Sequence, residues 1–289
     1  MKFTVIGAGK VGTALARLLV RAGYEFVGAA SRSLESARAA CAFAGAGTAT
    51  VDGAELAGAA DLVFITTPDD VIRAVCDELA GSRAFSPGSV VAHCSGALPS
   101  TILEAAREAG AHVGGMHPMQ SFATAEQAVH ILPGSCCCIE GDPQAVPVLE
   151  GVARALEARV LTIATEDKPL YHAAGCVASN YLVALENAAL DLARAAGIDR
   201  AEALRSLLPL IRGTVSNLEA VGIPQALTGP IARGDVETVR RHVEAIEART
   251  PELMALYRVL GRETVKVALA KGTLGREAAA ELRRLLGPG

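Results

Sequence analysis

Lys168, His172, Asn180, Ser95 and His117 are the side chains of this sequence best suited to serve a reacting heteroatom. His117 stands in Gly115-Met116-His117-Pro118-Met119-Gln120-Ser121-Phe122. Lys168 and His172 open Lys168-Pro169-Leu170-Tyr171-His172-Ala173-Ala174-Gly175-Cys176-Val177-Ala178-Ser179-Asn180. Adding a hydride to C=O or C=N leaves charge on the oxygen or nitrogen, and a nearby acid or hydrogen-bond donor must neutralise it. Histidine, lysine, serine and asparagine all qualify, and the sequence leaves open which of Lys168, His172 or His117 gives the proton. At about 100° per residue, His172, Gly175 and Ser179 share one helical stripe, with Asn180 off it. Gly175 is costly inside a helix, which predicts a ligand or another helix packed against it. Each candidate has a structural alternative: a hydrogen-bonded interfacial residue for His172, a solvated helix-start residue for Lys168, and a turn residue fixed by Pro118 for His117. His112, His130 and His242 read as surface residues.

Such chemistry needs a hydride carrier, and the start of the chain has a place for one. Met1 to Ile6 reads as a buried strand, Gly7-Ala8-Gly9-Lys10-Val11-Gly12 follows at once, and Thr13 to Ala22 reads as a helix. Strand, G-x-G-x-x-G turn and helix in this order form a dinucleotide-binding fingerprint. Gly7 allows the turn, Gly9 lets a pyrophosphate approach the backbone, and Gly12 lets helix and strand pack closely. The helix N-terminus attracts the phosphate charge. At the end of the second strand an NAD site expects an acid for the ribose 2′-OH. Here the residues are Gly28-Ala29-Ala30-Ser31-Arg32-Ser33. A guanidinium between two hydroxyls suits a phosphate, so Ser31, Arg32 and Ser33 predict NADP. Thr66-Thr67-Pro68 should run along the nicotinamide half, with Asp69 as a helix N-cap. Ser95 and Gly96 should line the nicotinamide ribose or the substrate.

Stepping along the chain, apolar runs alternate with helical segments. Glu25–Ala30, Asp61–Thr66, Ser89–His93, Ala111–Met116, Ser135–Ile139 and Val160–Ala164 read as strands. Leu34–Ala44, Asp69–Leu79, Thr101–Ala109 and Pro147–Ala158 read as helices. This pattern predicts an α/β fold, a Rossmann-type mostly parallel sheet with helices on both faces, followed by an all-helical domain. From Thr165 onward strand signals vanish, and long helices are expected at 169–196, 200–220, 236–248, 251–271 and 276–285. The expected domains are therefore 1–164, binding the dinucleotide, and 165–289, for substrate and dimerisation. Apolar residues around most of a helix, as in Tyr181-Leu182-Val183-Ala184-Leu185, need cover on most sides, which predicts a homodimer. Asp235 reads as an N-cap, and Arg233 as a ligand for an acidic substrate or for the partner subunit.

Composition excludes other classes. With 289 residues, 51% hydrophobic and no tryptophan, the chain supports two domains with aliphatic cores. Its 27 basic and 31 acidic residues are mixed, without a basic block, which argues against nucleic acid. No apolar run reaches membrane-spanning length. The chain opens on a strand, so the expectation is no signal peptide and a cytoplasmic protein. Seven cysteines include Cys136-Cys137-Cys138 in one strand, where neighbours face opposite ways and cannot share a metal. No metal site is expected.

Taken together these residues resemble a family that joins a Rossmann-like domain to a helical domain of unknown function. The resemblance rests on Val5-Ile6-Gly7-Ala8-Gly9-Lys10-Val11-Gly12, Ser31-Arg32-Ser33, Thr67-Pro68-Asp69-Asp70 and His93-Cys94-Ser95-Gly96. It continues in His117-Pro118-Met119-Gln120-Ser121-Phe122, Lys168 with Tyr171-His172-Ala173-Ala174, Ser179-Asn180, and Leu227-Thr228-Gly229-Pro230 with Arg233-Gly234-Asp235. More distantly the chain is similar to pyrroline-5-carboxylate reductase, ketopantoate reductase and the 6-phosphogluconate and 3-hydroxyisobutyrate dehydrogenases. That wider resemblance implies an NADP-dependent reductase with an all-helical dimerising domain. The β-hydroxyacid dehydrogenases place a catalytic Lys and an Asn four apart on one helix. Here Lys168 and Asn180 stand twelve apart, and His172 takes the four-apart position. The expected function is hydride transfer between NADP(H) and a small carbonyl, imine or hydroxy acid; the alternative is a non-catalytic NADP(H)-binding sensor or partner protein.

Overall fold

The computed structural model of the chain describes residues 1–287. Two compact units form, Met1–Val177 and a second from Ala178 onward.

In the first unit the strands are β1 (Lys2–Ile6), β2 (Glu25–Ala30), β3 (Thr48–Thr50), β4 (Leu62–Ile65), β5 (Val90–His93), β6 (His112–Pro118), β7 (Cys136–Gly141) and β8 (Arg159–Thr162). They build one sheet in the order β3-β2-β1-β4-β5-β6-β7-β8. All pairs from β3 to β6 are parallel, β7 runs antiparallel to β6, and β8 runs parallel to β7. Strand order reverses between β1 and β4, the position where ligands bind beyond the carboxyl ends of such sheets. The helices are α1 (Lys10–Arg21), α2 (Leu34–Ala44), α3 (Ala54–Gly58), α4 (Ile72–Gly81), α5 (Glu104–Glu108), α6 (Ala125–Ile131), α7 (Ala145–Ala155) and α8 (Lys168–Ala178). Successive strand residues feed opposite cores. Val5 and Phe64 join Leu15, Leu19, Met116 and Leu149 on one face; Ile6 and Ile65 join Ile72, Val91, Leu103 and Val113 on the other.

The sequence reading places β2 and α2 at their observed bounds. It leaves out β3, α3 and α6, which are too short to show a period. Ser33 caps α2, its hydroxyl accepting from the Ser36 amide at 3.3 Å, and Gly45 ends the helix in the left-handed region at φ 79°. Two expectations are corrected. Asp69 is no helix cap: Pro68 precedes a 3-10 turn at Asp69–Val71, and the Asp69 carboxylate accepts from Ser95 Oγ at 2.7 Å. The helix expected at 169–196 is two helices, interrupted by a turn at Ser179, where φ widens to −117°.

The second unit holds α9 (Asn180–Ala195), α10 (Arg200–Val221), α11 (Pro230–Arg233), α12 (Val236–Arg249), α13 (Met254–Lys271) and α14 (Arg276–Leu285). Its main core joins Ile231, Val239, Val265, Leu274, Leu282 and Leu286. Asp235 caps α12 as expected, accepting from the Thr238 amide at 3.0 Å and the Thr238 hydroxyl at 2.7 Å. Among the described residues no helix is long and apolar enough to cross a membrane.

Candidate active site

The turn from β1 to α1 is fixed from beneath. Gly7 sits at φ 113°, and an added Cβ would lie 2.7 Å from the Thr67 nitrogen. Its carbonyl accepts from Thr66 Oγ1 at 2.6 Å, tying the turn to the end of β4. A Cβ on Gly12 would overlap the Gly7 carbonyl and Thr66 Oγ1. Gly9 differs: it is exposed, and a Cβ there would meet only the Thr66 carbonyl, at 4.0 Å. Gly9 also opens α1 with no side-chain cap and no acid in the first turn, so the leading amides stay free for an anion. Lys10 is exposed beside it, and Ala8 and Val11 are half-buried. Along the same edge Arg32 and Ser33 are exposed after β2, Ser31 is half-buried, and Pro68 is exposed after β4. Among the described residues the buried Thr67 Oγ1 has no hydrogen-bond partner. These residues fit a dinucleotide: a glycine cradle, a free helix terminus, a guanidinium and no acid at the end of β2.

Beyond β5 and β6 lies a buried ion pair. Lys168 Nζ donates to Glu140 Oε1 at 3.0 Å, and neither side chain has any exposed surface. The Ser100 amide donates to Glu140 Oε1 at 3.0 Å, and the Ser100 hydroxyl to Oε2 at 2.7 Å. Burial pushes the Glu140 carboxyl up, but the Lys168 ammonium and the hydrogen bonds from Ser100, Lys168 and Thr165 outweigh it and hold the carboxyl below its usual range. Gly115 makes room: a Cβ there would overlap Glu140 Oε1 and Lys168 Nζ.

Three imidazoles surround this pair. His93, at the end of β5, is fully buried; its Nδ1 accepts from the Ser95 amide at 3.1 Å, and among the described residues its Nε2 has no hydrogen-bond partner. Burial and the Lys168 charge push His93 down to about 4. His117, on β6, is half-buried, and its Nδ1 lies 2.9 Å from the Tyr171 hydroxyl. Burial, then Lys168 and His172, push it down to about 4 as well. The His172 ring meets the His117 ring edge to face, 6.5 Å between centroids. Gly96 backs both: a Cβ there would lie 2.7 Å from His117 Nε2 and 2.9 Å from His172 Cδ2. Ser95 ties the loop down, its hydroxyl donating to Asp69 and accepting from the Ala97 and Leu98 amides at 3.1 and 3.0 Å.

Lys168, His172, His117, Ser95 and Gly96 thus come together in one unit. Asn180 does not join them within that unit; it opens α9 in the second unit and is exposed. Within the chain no described residue packs on Gly175, where a Cβ would meet no atom within 4 Å. Glu140, Ser100, His93 and Tyr171 escape the sequence reading as site residues. Glu140 had a signal, since an acid ending the apolar run Cys136–Ile139 must find a partner once buried.

Two family models match the chain in succession: a Rossmann-like domain over residues 1–118 and a domain of unknown function, DUF2520, over residues 135–264. No curated protein sequence matches it significantly. Among solved structures the chain is similar to protein TM1727 from Thermotoga maritima, at 27% identity, TM-score 0.73, covering 93% of this chain and 99% of that one. It is similar to BF3122 from Bacteroides fragilis, provisionally described as an NADP oxidoreductase, at 25% identity, TM-score 0.70, covering 92% and 98%. A pyrroline-5-carboxylate reductase from Coxiella burnetii shares the fold at 17% identity, TM-score 0.59, covering 99% and 98%.

Proposed function

We propose that this chain, a Rossmann-like domain followed by DUF2520, is an NADP-dependent oxidoreductase acting on a small carbonyl, imine or hydroxy acid. One observation carries the reading. A single sheet edge holds both the open glycine cradle after β1 and the Lys168–Glu140 pair with its histidines after β5 and β6. The provisional description of the Bacteroides fragilis relative supports it.

Gly7, Gly9, Gly12 and the free amides of α1 would hold the pyrophosphate, with Lys10 adding charge. Arg32, between Ser31 and Ser33, would take the 2′-phosphate. Thr66, Thr67, Pro68, Ser95 and Gly96 would line the nicotinamide half. When bound, the nicotinamide supplies a hydride donor or acceptor. Burial, helped by the charge of the enclosed, ion-paired Lys168, holds His93 and His117 neutral. His172 is half-buried, and the Cys176 sulfur lies 3.9 and 4.0 Å from its ring nitrogens. It is the group free to exchange a proton between water and the substrate heteroatom. The second unit would pair two copies of the chain through α9 and α10.

The chain has no tryptophan, so the emission of the reduced nicotinamide reports binding directly. Titration with NADPH and NADH should show NADPH binding at least about tenfold tighter, the effect of a phosphate–arginine contact. Equal binding would remove the phosphate role of Arg32. No binding would remove the oxidoreductase reading, and binding without oxidation by any of a panel of keto acids and imines would favour a sensor. Turnover unchanged in folded His172→Ala protein would remove the proton role of His172.

A further inference from the structure

A neutral imidazole carries one proton, on Nδ1 or on Nε2, and its neighbours decide which. At His117 the neighbour of Nδ1 is the Tyr171 hydroxyl, 2.9 Å away, with the two rings edge to face at 5.7 Å. Burial keeps the Tyr171 hydroxyl protonated, raising its pKa above the ordinary value. Cys138 stands opposite His117 in the β6–β7 register. Its buried thiol is held protonated too, pushed up to about 11. A thiol sulfur is a weak acceptor and the bare nitrogen of a neutral imidazole a strong one, so the Tyr171 hydroxyl donates to His117 Nδ1. The ring proton then sits on Nε2. Among the described residues that atom has no hydrogen-bond partner, and it lies against Gly96, where any side chain would cover it.

We propose that Tyr171 is a positioning residue that locks His117 in its Nε2–H form, so that the edge beside Gly96 offers a hydrogen-bond donor to a substrate carbonyl oxygen. The proposal deepens the oxidoreductase reading and rests on it for its catalytic use. It also narrows the substrate class. An N–H donor beside the Lys168 charge stabilises a developing alkoxide and repels a protonated imine.

Tyr171→Phe keeps the ring and removes the hydroxyl. Long-range 1H–15N spectra of histidine-labelled protein report the tautomer without any ligand, and His117→Gln identifies the signal by deleting it. The wild-type signal should show a protonated Nε2 and a bare Nδ1, and Tyr171→Phe should show a mixture. With NADPH and keto acids, Tyr171→Phe should lower kcat by about 10- to 100-fold and leave KM within about threefold, as loss of one oriented donor does. A protonated Nδ1 in the wild type, an unchanged tautomer in Tyr171→Phe, or imines outcompeting keto acids as substrates would overturn the proposal. The NADPH titration of the wild type separates the two readings. If NADPH fails to bind while the tautomer is as stated, the oxidoreductase reading falls, and the Tyr171–His117 lock stands without its catalytic use.

Discussion

A lysine with no exposed surface keeps its charge only if a carboxylate and hydrogen bonds replace the water it has lost. Glu140 supplies the carboxylate at 3.0 Å, and Ser100 completes the carboxylate's own shell. Lys168→Met keeps the length and removes the charge, which strands the Glu140 carboxylate. We expect a loss of about 3–5 kcal/mol in urea unfolding, mostly recovered in Lys168→Met/Glu140→Leu. A single variant as stable as its parent would rule out a charged pair. The histidines add a pH dependence. His93 and His117 titrate at about 4 in the folded chain and at an ordinary value of 6.5 when unfolded. Below pH 6.5 the unfolded chain therefore binds protons that the folded chain refuses, and stability falls as pH drops from 6.5 toward 4. His93 alone should cost about 2 kcal/mol between pH 7.5 and pH 5. Unfolding midpoints at the two pH values check this, and a flat profile in which His93→Phe changes nothing would refute it. The candidates His117 and His172 were visible in the sequence as residue types. Glu140 showed only as an acid ending an apolar run; its partner was not legible, because the lysine that reaches it lies 28 residues further along the chain.

At the scale of elements the first βα turn separates binding from folding. Gly9→Ala adds a methyl group that touches nothing closer than 4.0 Å, so the fold should keep its melting temperature. The same methyl stands where a pyrophosphate would approach the free amides of α1, and NADPH affinity should fall by about tenfold or more. Gly12→Ala drives a methyl into the Gly7 carbonyl and Thr66 Oγ1 and should cost about 1–3 kcal/mol through overpacking. Thermal melts and NADPH titrations of both variants test this; unweakened binding in Gly9→Ala would sink the cradle assignment. The turn was legible in the sequence because each glycine answers a local steric demand. β3, with three residues, and α3, with five, were not, because their pairing depends on what lies beside them.

At the scale of the whole molecule, α9 and α10 leave large apolar side chains uncovered. Tyr181, Val183 and Leu210 are 64%, 72% and 66% exposed. Such a surface is what a subunit interface covers. Light scattering should give about twice the chain mass of 29.6 kDa, and Val183→Glu/Leu210→Glu should shift it to one. A wild-type monomer at micromolar concentration would remove the dimer. The sequence by itself determined the alternation of strands and helices, the glycine turn and the loss of strands after Thr165, since hydrophobic period and backbone sterics act within a few residues. It also named His117, His172 and Lys168 as candidates. Only the tertiary structure decided what they are to one another. The pairing of Lys168 with Glu140, the hold of Tyr171 on His117 and the packing of Gly96 against two imidazoles join residues from separate strands, loops and helices. A charge or a ring tautomer is set by the atoms within a few ångströms of it, and the register of β5, β6 and β7 chooses those atoms.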